Sequence, residues 1–308
     1  MITIRNFITG AILLATLAGT SAATYTLQLG NITWTGSAGG YHCFTATAYP
    51  NTVNFTITKV GNGAASYAVT AGTSLNTGTY TRKLKSGGNL LNYQLFTTSA
   101  MSYQLKAPTT ATVNEVISGS LTGGGQVLPL SFIFYIAPGQ VVPPGTYTDQ
   151  VTVSVYQAYN STGTPYTSKT ITITAVVTAD AAISIVPTGN PFNSSSPNLT
   201  LSFGTLSSGL IRSCDILIKQ NNNCTVFFGS DNNSVLKQVP ATADQISYTA
   251  SSSGTPINLT QPGSTPLPSG MSVGPDGNRY PLSITIGTVG AVGAGTYQDR
   301  ITFTVVAQ

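Results

Sequence analysis

The sequence contains few charged residues. Asp, Glu, Lys and Arg make up 6% of 308 residues, against about 25% in an average soluble protein. The polar character comes instead from Thr, Ser, Asn and Gly, beside 41% apolar residues, and this mixture favours short strands joined by polar turns. The densest basic cluster, Arg82, Lys83 and Lys85, lacks interleaved aromatic residues, so it indicates a solvated hairpin end and no nucleic-acid partner. The composition predicts an all-β extracellular protein.

Groups for acid-base chemistry and metal binding are also scarce. The chain has one histidine, His42, beside Cys43, and one such pair supplies too few ligands for a zinc site. The eight acidic residues are scattered. Asp149 and Asp299 hold the same position in two similar segments, which indicates hydrogen bonding to a turn and not a catalytic pair. These absences argue against an enzyme, and no cofactor or metal is expected.

Cysteine is rare as well, with three in the chain. Cys214 and Cys224 flank an Asn-rich turn between two apolar runs, and a hairpin there would bring the two sulfurs together. In an exported protein this arrangement predicts a disulfide, worth roughly 2 to 3 kcal/mol for so short a loop. Cys43 is then left over, and a buried small hydrophobic residue is expected there in preference to a reactive thiol.

One apolar run near the start of the chain has the features of a processing signal. It covers residues 7–17, follows Arg5 and precedes small residues, which predicts a signal peptide at 1–23 cleaved after Ala22 or Ala23. A transmembrane helix needs about 20 apolar residues, so an uncleaved anchor helix is the weaker alternative. The mature chain is expected to be exported.

The sequence also contains an internal repeat. Residues 145–155 are GTYTDQVTVSV and residues 295–305 are GTYQDRITFTV; each copy begins with a Gly turn and then alternates apolar and hydroxyl side chains, as a half-buried strand does. Two further pairs of similar segments keep the same order and nearly the same offset: 91–95 with 246–250, and 130–134 with 282–286. The chain is therefore predicted to hold two copies of one antiparallel β-sandwich, at 24–178 and 179–308.

The two copies differ in the length of chain after the repeated strand. The first continues into another alternating strand at 169–177, which can lie beside the preceding strands and complete the sandwich, whereas the second stops at Gln308. The second domain is therefore expected to lack its last strand. A groove with unpaired backbone amides is expected beside Tyr297, Ile301, Phe303 and Val305, to be filled by a strand from another chain.

Several motifs resemble the spore coat U domain family. They are the repeated Gly-Thr-Tyr-x-Asp strand, preceded by Pro143-Pro144 or by 292–294, and in the second domain the segments 185–192 (IVPTGNPF) and 201–206 (LSFGTL). The resemblance covers nearly the whole mature chain and is closer in the second domain. It implies incomplete immunoglobulin-like sandwiches that a periplasmic chaperone and an outer-membrane usher export and that assemble into pili of the archaic chaperone-usher type.

A two-domain member looks like the tip adhesin of such a pilus, attaching cells to surfaces and supporting biofilm formation. Its first domain would bind a surface or receptor through loop tips, with Met101, Tyr103, Val127 and Leu128 as candidates. Its second domain would receive a strand from the adjacent pilin subunit. Two alternatives are a shaft or adaptor subunit, with 25–29 as its own donor strand, and a secreted lectin with two complete domains that never polymerises.

Overall fold

The computed structural model describes residues 25–34, 40–45, 48–241, 243–259, 263–265, 272, 274 and 276–307. The expected signal peptide at 1–23 and its cleavage site lie outside these residues. Within them the chain forms β-strands and one 3-10 helix, at Val113–Glu115. No helix in this described part is long and apolar enough to cross a membrane.

The first eleven strands form two antiparallel sheets around one core. These strands are β1 (Tyr25–Leu29), β2 (Thr33–Trp34), β3 (Tyr49–Gly61), β4 (Ala65–Ala71), β5 (Lys83–Ser86), β6 (Asn89–Asn92), β7 (Gln94–Phe96), β8 (Ile117–Leu121), β9 (Val127–Ile136), β10 (Gly145–Tyr156) and β11 (Thr167–Val177). One sheet has the order β1-β3-β9-β7, with β2 beside β3. The other has the order β6-β5-β10-β4-β8, with β11 on the free side of β10.

The next ten strands form a second pair of antiparallel sheets around a separate core. These strands are β12 (Ala181–Pro187), β13 (Ile211–Gln220), β14 (Cys224–Ser230), β15 (Val235–Val239), β16 (Gln245–Ser252), β17 (Thr255–Ile257), β18 (Gly263–Thr265), β19 (Asn278–Ile286), β20 (Thr296–Gln298) and β21 (Ile301–Ala307). The larger sheet has the order β12-β13-β19-β16-β15-β20, with β17 beside β16, and the smaller has the order β18-β14-β21.

The predicted fold class, two tandem antiparallel β-sandwiches, is confirmed. That the second sandwich lacks its last strand stays a prediction. Among the described residues no strand of β1 to β11 pairs with a strand of β12 to β21. The break between the two sets falls after Val177 and before Ala181. The finer domain limits at 24–178 and 179–308 stay predictions.

The alternation of side chains explains why these segments form strands. In β3 the inward residues Val53, Phe55 and Ile57 are buried, while the Thr and Asn residues between them are exposed or half-buried. In β16 the same alternation buries Ile246 and Tyr248. Successive side chains of a strand point to opposite faces, so a period of two places one face of each sheet in the core.

The repeat seen in the sequence corresponds to the same place in both sandwiches. β10 pairs with β4 and β5, and its counterparts β21 and β20 pair with β14 and β15. β10 is continuous over 12 residues, whereas the second copy is interrupted at Asp299 and Arg300. The ladder to β11 runs from Gly145 to Val155, which is all of β10 except its last residue. The second copy has no such partner among the described residues.

One side chain from the second domain fixes the junction between the two domains. Asn221, just after β13, is 1% exposed and donates from Nδ2 to the Thr178 carbonyl at 2.8 Å and the Val142 carbonyl at 3.2 Å. The same nitrogen lies 3.3 Å from Cys43 Sγ, and Oδ1 accepts from the Asp180 N–H at 2.7 Å. Cys43 is therefore buried, as expected, and burial raises the pKa of its thiol.

Candidate functional site

The outer edge of β21 is the principal difference between the two sandwiches. In the first domain β11 covers the corresponding edge of β10 from Gly145 opposite Val177 to Val155 opposite Thr167. β21 pairs along its length with β14, from Ile301 opposite Ser230 to Ala307 opposite Cys224. No strand in the described part of the chain pairs with its other edge. This edge presents backbone donors and acceptors that an added strand would satisfy.

Side-chain burial shows the same difference. Val151, Val153 and Val155 of β10 are 1%, 0% and 0% exposed. The residues 150 positions later, Ile301, Phe303 and Val305, are each only half-buried although they pack against the core of their domain. Phe303 contacts the buried Phe228 edge-on, with 5.2 Å between ring centroids. An apolar face of the second domain is therefore left partly uncovered.

Tyr297 makes the same kind of hydrogen bond as Tyr147, its counterpart in the first domain. Its hydroxyl donates to the Gly293 carbonyl at 2.7 Å, and the hydroxyl of Tyr147 donates to the Pro143 carbonyl at 2.8 Å. Tyr147 is fully buried, whereas Tyr297 is half-buried. The four predicted groove residues thus lie on two consecutive strands, Tyr297 on β20 and the other three on β21, the strand with the uncovered edge.

The opposite wall of this groove was missed from the sequence. Apolar side chains of β12 and of the following extended segment pack half-buried against the same core, and β12 lies against β21. They are Ile183, Ile185, Leu199, Leu201 and Phe203. The alternation of Leu199, Leu201 and Phe203 was a visible strand signal, but the described segment 198–204 joins no sheet.

The first domain shows how such a groove is filled. Its segment after β2 pairs with β11: the Tyr41 N–H donates to the Val176 carbonyl at 2.7 Å, the Thr178 N–H donates to the Tyr41 carbonyl at 3.2 Å, and the bridge is parallel. β11 therefore lies between β10, to which it is antiparallel, and this segment. The inward residues Ile173, Ala175 and Val177 of β11 are buried.

The two aspartates of the repeat anchor loops inside separate domains. Asp149 accepts from the Tyr93 hydroxyl at 2.7 Å and from the Asn76 N–H at 3.2 Å. Asp299 accepts from the Tyr248 hydroxyl at 2.6 Å and from the Asn232 N–H at 3.1 Å. Burial, together with the carboxylate, raises the pKa of Tyr93 and of Tyr248. Both carboxylates thus hold turns, as the sequence indicated.

The interpretation of the basic cluster as a solvated end is wrong for Arg82. Its side chain is fully buried, and Nη2 donates to the carbonyls of Leu105 at 2.7 Å and Gly72 at 2.8 Å. Burial lowers the pKa of the guanidinium. Lys83 is half-buried and Lys85 exposed. Chain spacing could not show that the first member of the cluster turns inward to satisfy loop carbonyls.

The predicted disulfide is also wrong, because Cys214 and Cys224 are both free thiols. β13 and β14 belong to different sheets and do not form the expected hairpin. Cys224 donates to Gln220, whereas Cys214 lies six residues before Gln220 on β13, about 20 Å away at roughly 3.3 Å per residue. A disulfide needs Cα atoms within about 7 Å.

The predicted adhesive residues lie in two separate places, the start of β9 and the loop after β7. Val127 begins β9 and is 56% exposed, and Leu128 is half-buried against the core. Tyr103 is exposed and Met101 half-buried in the loop after β7. The φ angle of Met101 is 53°, in the left-handed region that β-carbon sterics disfavour. The adhesive role of these four residues stays a prediction.

Two turns mark the end of the first domain that faces away from the second. β11 ends at Val177, opposite Gly145, and the chain continues from there to β12. The other end of β10, Tyr156, pairs with Ala68 in the middle of β4, and β4 begins three residues beyond it. The turn at 62–64, just before β4, therefore lies at the far end. The loop at 122–126 lies beside it, because β8 pairs with the start of β4. We call these two segments the distal turns.

No group of three His, Cys, Asp or Glu side chains in the described residues is placed to hold a metal ion. The acidic residues of the repeat are each occupied by the turn contacts above.

Several solved structures are similar to this chain. The CsuC-CsuE chaperone-tip adhesion subunit pre-assembly complex of archaic Csu pili from Acinetobacter baumannii is 15% identical, with a TM-score of 0.40 over 90% of this chain and 92% of the other. The CupB6 tip adhesin from Pseudomonas aeruginosa is 10% identical, with a TM-score of 0.35 over 92% of this chain and 94% of the other. Self-complemented MyfA, the major subunit of Myf fimbriae from Yersinia enterocolitica, is 14% identical, with a TM-score of 0.27 over 48% of this chain and 98% of the other. These identities and TM-scores are too low to indicate a shared ligand or partner.

No curated protein matches the chain. A family model does match, over residues 18–154. The match lies in the first domain, although the sequence motifs resembled the family more closely in the second. It ends within β10, before β11 begins. The matching model is that of the Spore Coat Protein U domain, so the first domain is similar to that family.

Proposed function

We propose that this protein is the tip adhesin of a chaperone-usher pilus, with a second domain that receives a strand from the next subunit. The observation that carries the proposal is the contrast between β10, covered by β11 from Gly145 to Val155, and β21, whose corresponding edge is uncovered in the described residues. One domain is complete in itself, and the other requires a partner strand. A subunit with one receiving edge, whose first described strand is used inside its own sandwich, would occupy the end of a fibre.

The energy of strand addition supports an obligatory partner. An incoming strand would bury three or four of its own apolar side chains between β21 and the opposite wall. At about 1.5 to 3 kcal/mol each this amounts to roughly 5 to 12 kcal/mol before ordering costs. The whole stability of an ordinary domain is about 5 to 15 kcal/mol. Whether the groove is filled should thus decide whether the second domain stays folded.

The order of events follows from this need. A periplasmic chaperone would cover the groove until the subunit reaches the outer-membrane usher, where the adjacent pilin subunit would supply the permanent strand. By analogy with β11 and β10, the permanent strand would run antiparallel to β21. Its apolar residues would alternate so that every second side chain enters the groove.

The first strand of the chain favours the tip position over the shaft or adaptor alternative. Leu27 and Leu29 are buried in the core of their own domain, where β1 pairs with β3. The hydroxyl of Tyr25 accepts a hydrogen bond from that of Tyr166 at 3.0 Å. A strand used in this way is unavailable to a neighbouring subunit.

Attachment is assigned to the end of the first domain that faces away from the fibre. The distal turns lie at that end, with Val127 exposed beside them. An exposed aliphatic side chain on a turn can bury area against a solid or a receptor. Met101 and Tyr103 would extend this contact from the neighbouring loop.

The test is to express residues 24–178 and 180–308 separately in the periplasm. We expect the first fragment to be a soluble monomer and the second to aggregate or be degraded. Appending a copy of Thr167–Val177 after Gln308 through a flexible linker should rescue the second fragment, because β11 performs this role in the first domain. The matched control carries Ile173→Asp and Val177→Asp in the appended copy and should not rescue it.

A second fragment that is monomeric and unfolds cooperatively without any added strand would overturn the proposal. That outcome would favour the secreted lectin with two complete domains. Co-purification of the full chain with a periplasmic chaperone, lost when the appended strand is present, is the complementary expected result.

A further inference from the structure

A lysine occupies a core position at the far end of the first domain. The inward residues of β3 are Val53, Phe55 and Ile57, and Lys59 continues the same face at 0% exposure. Lysine is almost never fully buried unless its charge is compensated. Among the described residues no carboxylate lies within ion-pair distance of Lys59. The ammonium therefore depends on backbone carbonyls.

The partners of Lys59 belong to both distal turns. Its Nζ donates to the Gly61 carbonyl at 3.0 Å, where β3 enters the first turn, and to the Gly123 carbonyl at 3.3 Å, in the second. Its backbone N–H donates to the Gln126 carbonyl at 2.9 Å, and its carbonyl accepts from the Gly125 N–H at 2.9 Å. Three of these four hydrogen bonds go to the second turn, and the fourth goes to Gly61, the residue that precedes the first turn.

The second domain shows that packing alone does not require a lysine here. Lys59 lies opposite Leu27, the third residue of β1, and Ile218 lies opposite Ile183, the third residue of β12. Ile218 is also 0% exposed and belongs to the core of its domain. An apolar side chain thus fills the corresponding place in the second domain.

The distal turns need such a restraint because glycine gives them great freedom. Gly61, Gly63 and Gly125 adopt φ angles of 102°, 85° and 73°, in the region that favours glycine. Gln126 restrains the second turn further, since its Oε1 accepts from the backbone N–H groups of Thr122 and Gly123 at 3.1 and 3.3 Å. Charge-assisted hydrogen bonds are stronger than neutral ones, so Lys59 is suited to hold both turns together.

We propose that Lys59 is a positioning residue that holds the two distal turns as one rigid contact surface and thereby orients Val127 for attachment. Val127 lies opposite Thr58, the neighbour of Lys59, so a shift of either turn would move it. This inference rests on the proposed adhesive function of the first domain. It adds to that function the residue, Lys59, that fixes the positions of the two distal turns.

The experiment uses the full chain assembled on pili, with Lys59→Ile, Lys59→Arg and Val127→Asp as variants. Amide exchange at 61–64 and 122–126 should be faster by roughly tenfold or more in Lys59→Ile, because two charge-assisted bonds to carbonyls are lost. Exchange in β10 should stay unchanged. Attachment of piliated cells should fall several-fold in Lys59→Ile and recover largely in Lys59→Arg. If Lys59→Ile fails to assemble, Lys59→Gln, which keeps one donor group without the charge, takes its place.

Unchanged exchange at both turns in Lys59→Ile would overturn the inference. It would also be overturned if exchange rose without loss of attachment while Val127→Asp abolished attachment; in that case the adhesive function would stand without the role of Lys59. If neither Lys59→Ile nor Val127→Asp lowered attachment, the assignment of adhesion to the distal turns would itself be wrong.

Discussion

Buried polar residues hold the loops of the first domain against its strands. Arg82 is fully buried and donates to carbonyls of two loops and to the Gln94 side chain at 3.3 Å. Asp149 is likewise buried and bound to Tyr93 and to the backbone of Asn76. Buried polar groups of this kind are costly unless each is paired. They fix which loop lies against which strand.

Replacing Arg82 by Met should lower the free energy of unfolding of the first domain by about 2 to 4 kcal/mol, because the Gly72 and Leu105 carbonyls lose their donor while staying buried. Urea denaturation of the 24–178 fragment measures the change. Lys85→Met, at an exposed position of the same cluster, is the control and should change stability by no more than about 0.5 kcal/mol. Equal effects of the two substitutions would contradict the buried role of Arg82.

The three cysteines should all be free and slow to react. Burial raises the pKa of Cys214 to about 11 and that of Cys43 and Cys224 above the ordinary value. The thiolate is the reactive form, so at pH 8 the folded protein should react slowly with a thiol reagent, and the rate should rise as pH approaches these higher values. Mass spectrometry after unfolding without reductant should show three labels. A single label would indicate a disulfide that this structure does not contain.

At the scale of elements, two copies of one strand behave differently because their neighbours differ. β10 and β21 derive from the same repeated segment and meet equivalent partners on one side, β4 and β14. In the described part of the chain, only β10 has a partner on the other side. The strand pattern sets which side chains face inward, but the presence of a neighbouring strand sets how deeply they are buried.

Phe303→Ala should therefore destabilise the second domain more when the groove is filled than when it is empty. In the form with an appended donor strand Phe303 would be fully buried, and a cost of about 3 to 5 kcal/mol is expected; without that strand the residue is half-buried and the cost is smaller. Denaturant unfolding of the full chain, with and without the appended strand, gives the comparison. Thr304→Ala, on the opposite and exposed face of β21, should have little effect in either form. An equal cost for Phe303→Ala in both forms would contradict strand insertion beside β21.

At the scale of the whole molecule, the junction sets how the two sandwiches are joined. Asn221 is buried between segments of both domains and uses both ends of its amide there. Such a satisfied polar contact restricts motion at the connection. In the proposed tip position, this connection would transmit load from the attachment surface to the fibre.

Asn221→Ala should loosen this connection without unfolding either domain. Small-angle scattering of the full chain, with the donor strand appended, should show a broader distribution of interdomain distances. Asn223→Ala, at an exposed position of the same turn, should leave the scattering curve unchanged. If Asn221→Ala has the same curve as the parent protein, the junction does not depend on this side chain.

The sequence alone determined the class of fold and the repeat, because both depend on local patterns. Alternation of apolar and hydroxyl residues specifies which face of a strand is buried, and the recurrence of one segment at an offset of 150 identified two copies. It also placed Tyr297, Ile301, Phe303 and Val305 within one repeated segment with strand alternation. These conclusions need no knowledge of which strands are neighbours.

Only the tertiary structure decided which strands pair, and the sequence predictions failed at those points. The sequence predicted that Cys214 and Cys224 lie on the two strands of one hairpin. In the structure these strands, β13 and β14, belong to different sheets. Arg82 looked like a surface cation, yet it turns inward to the carbonyl of Leu105, as Lys59 does to that of Gly123. The opposite wall of the groove likewise comes from contacts across the sandwich. Spacing along a chain specifies the direction of a side chain, whereas its partners depend on the strands that pack beside it.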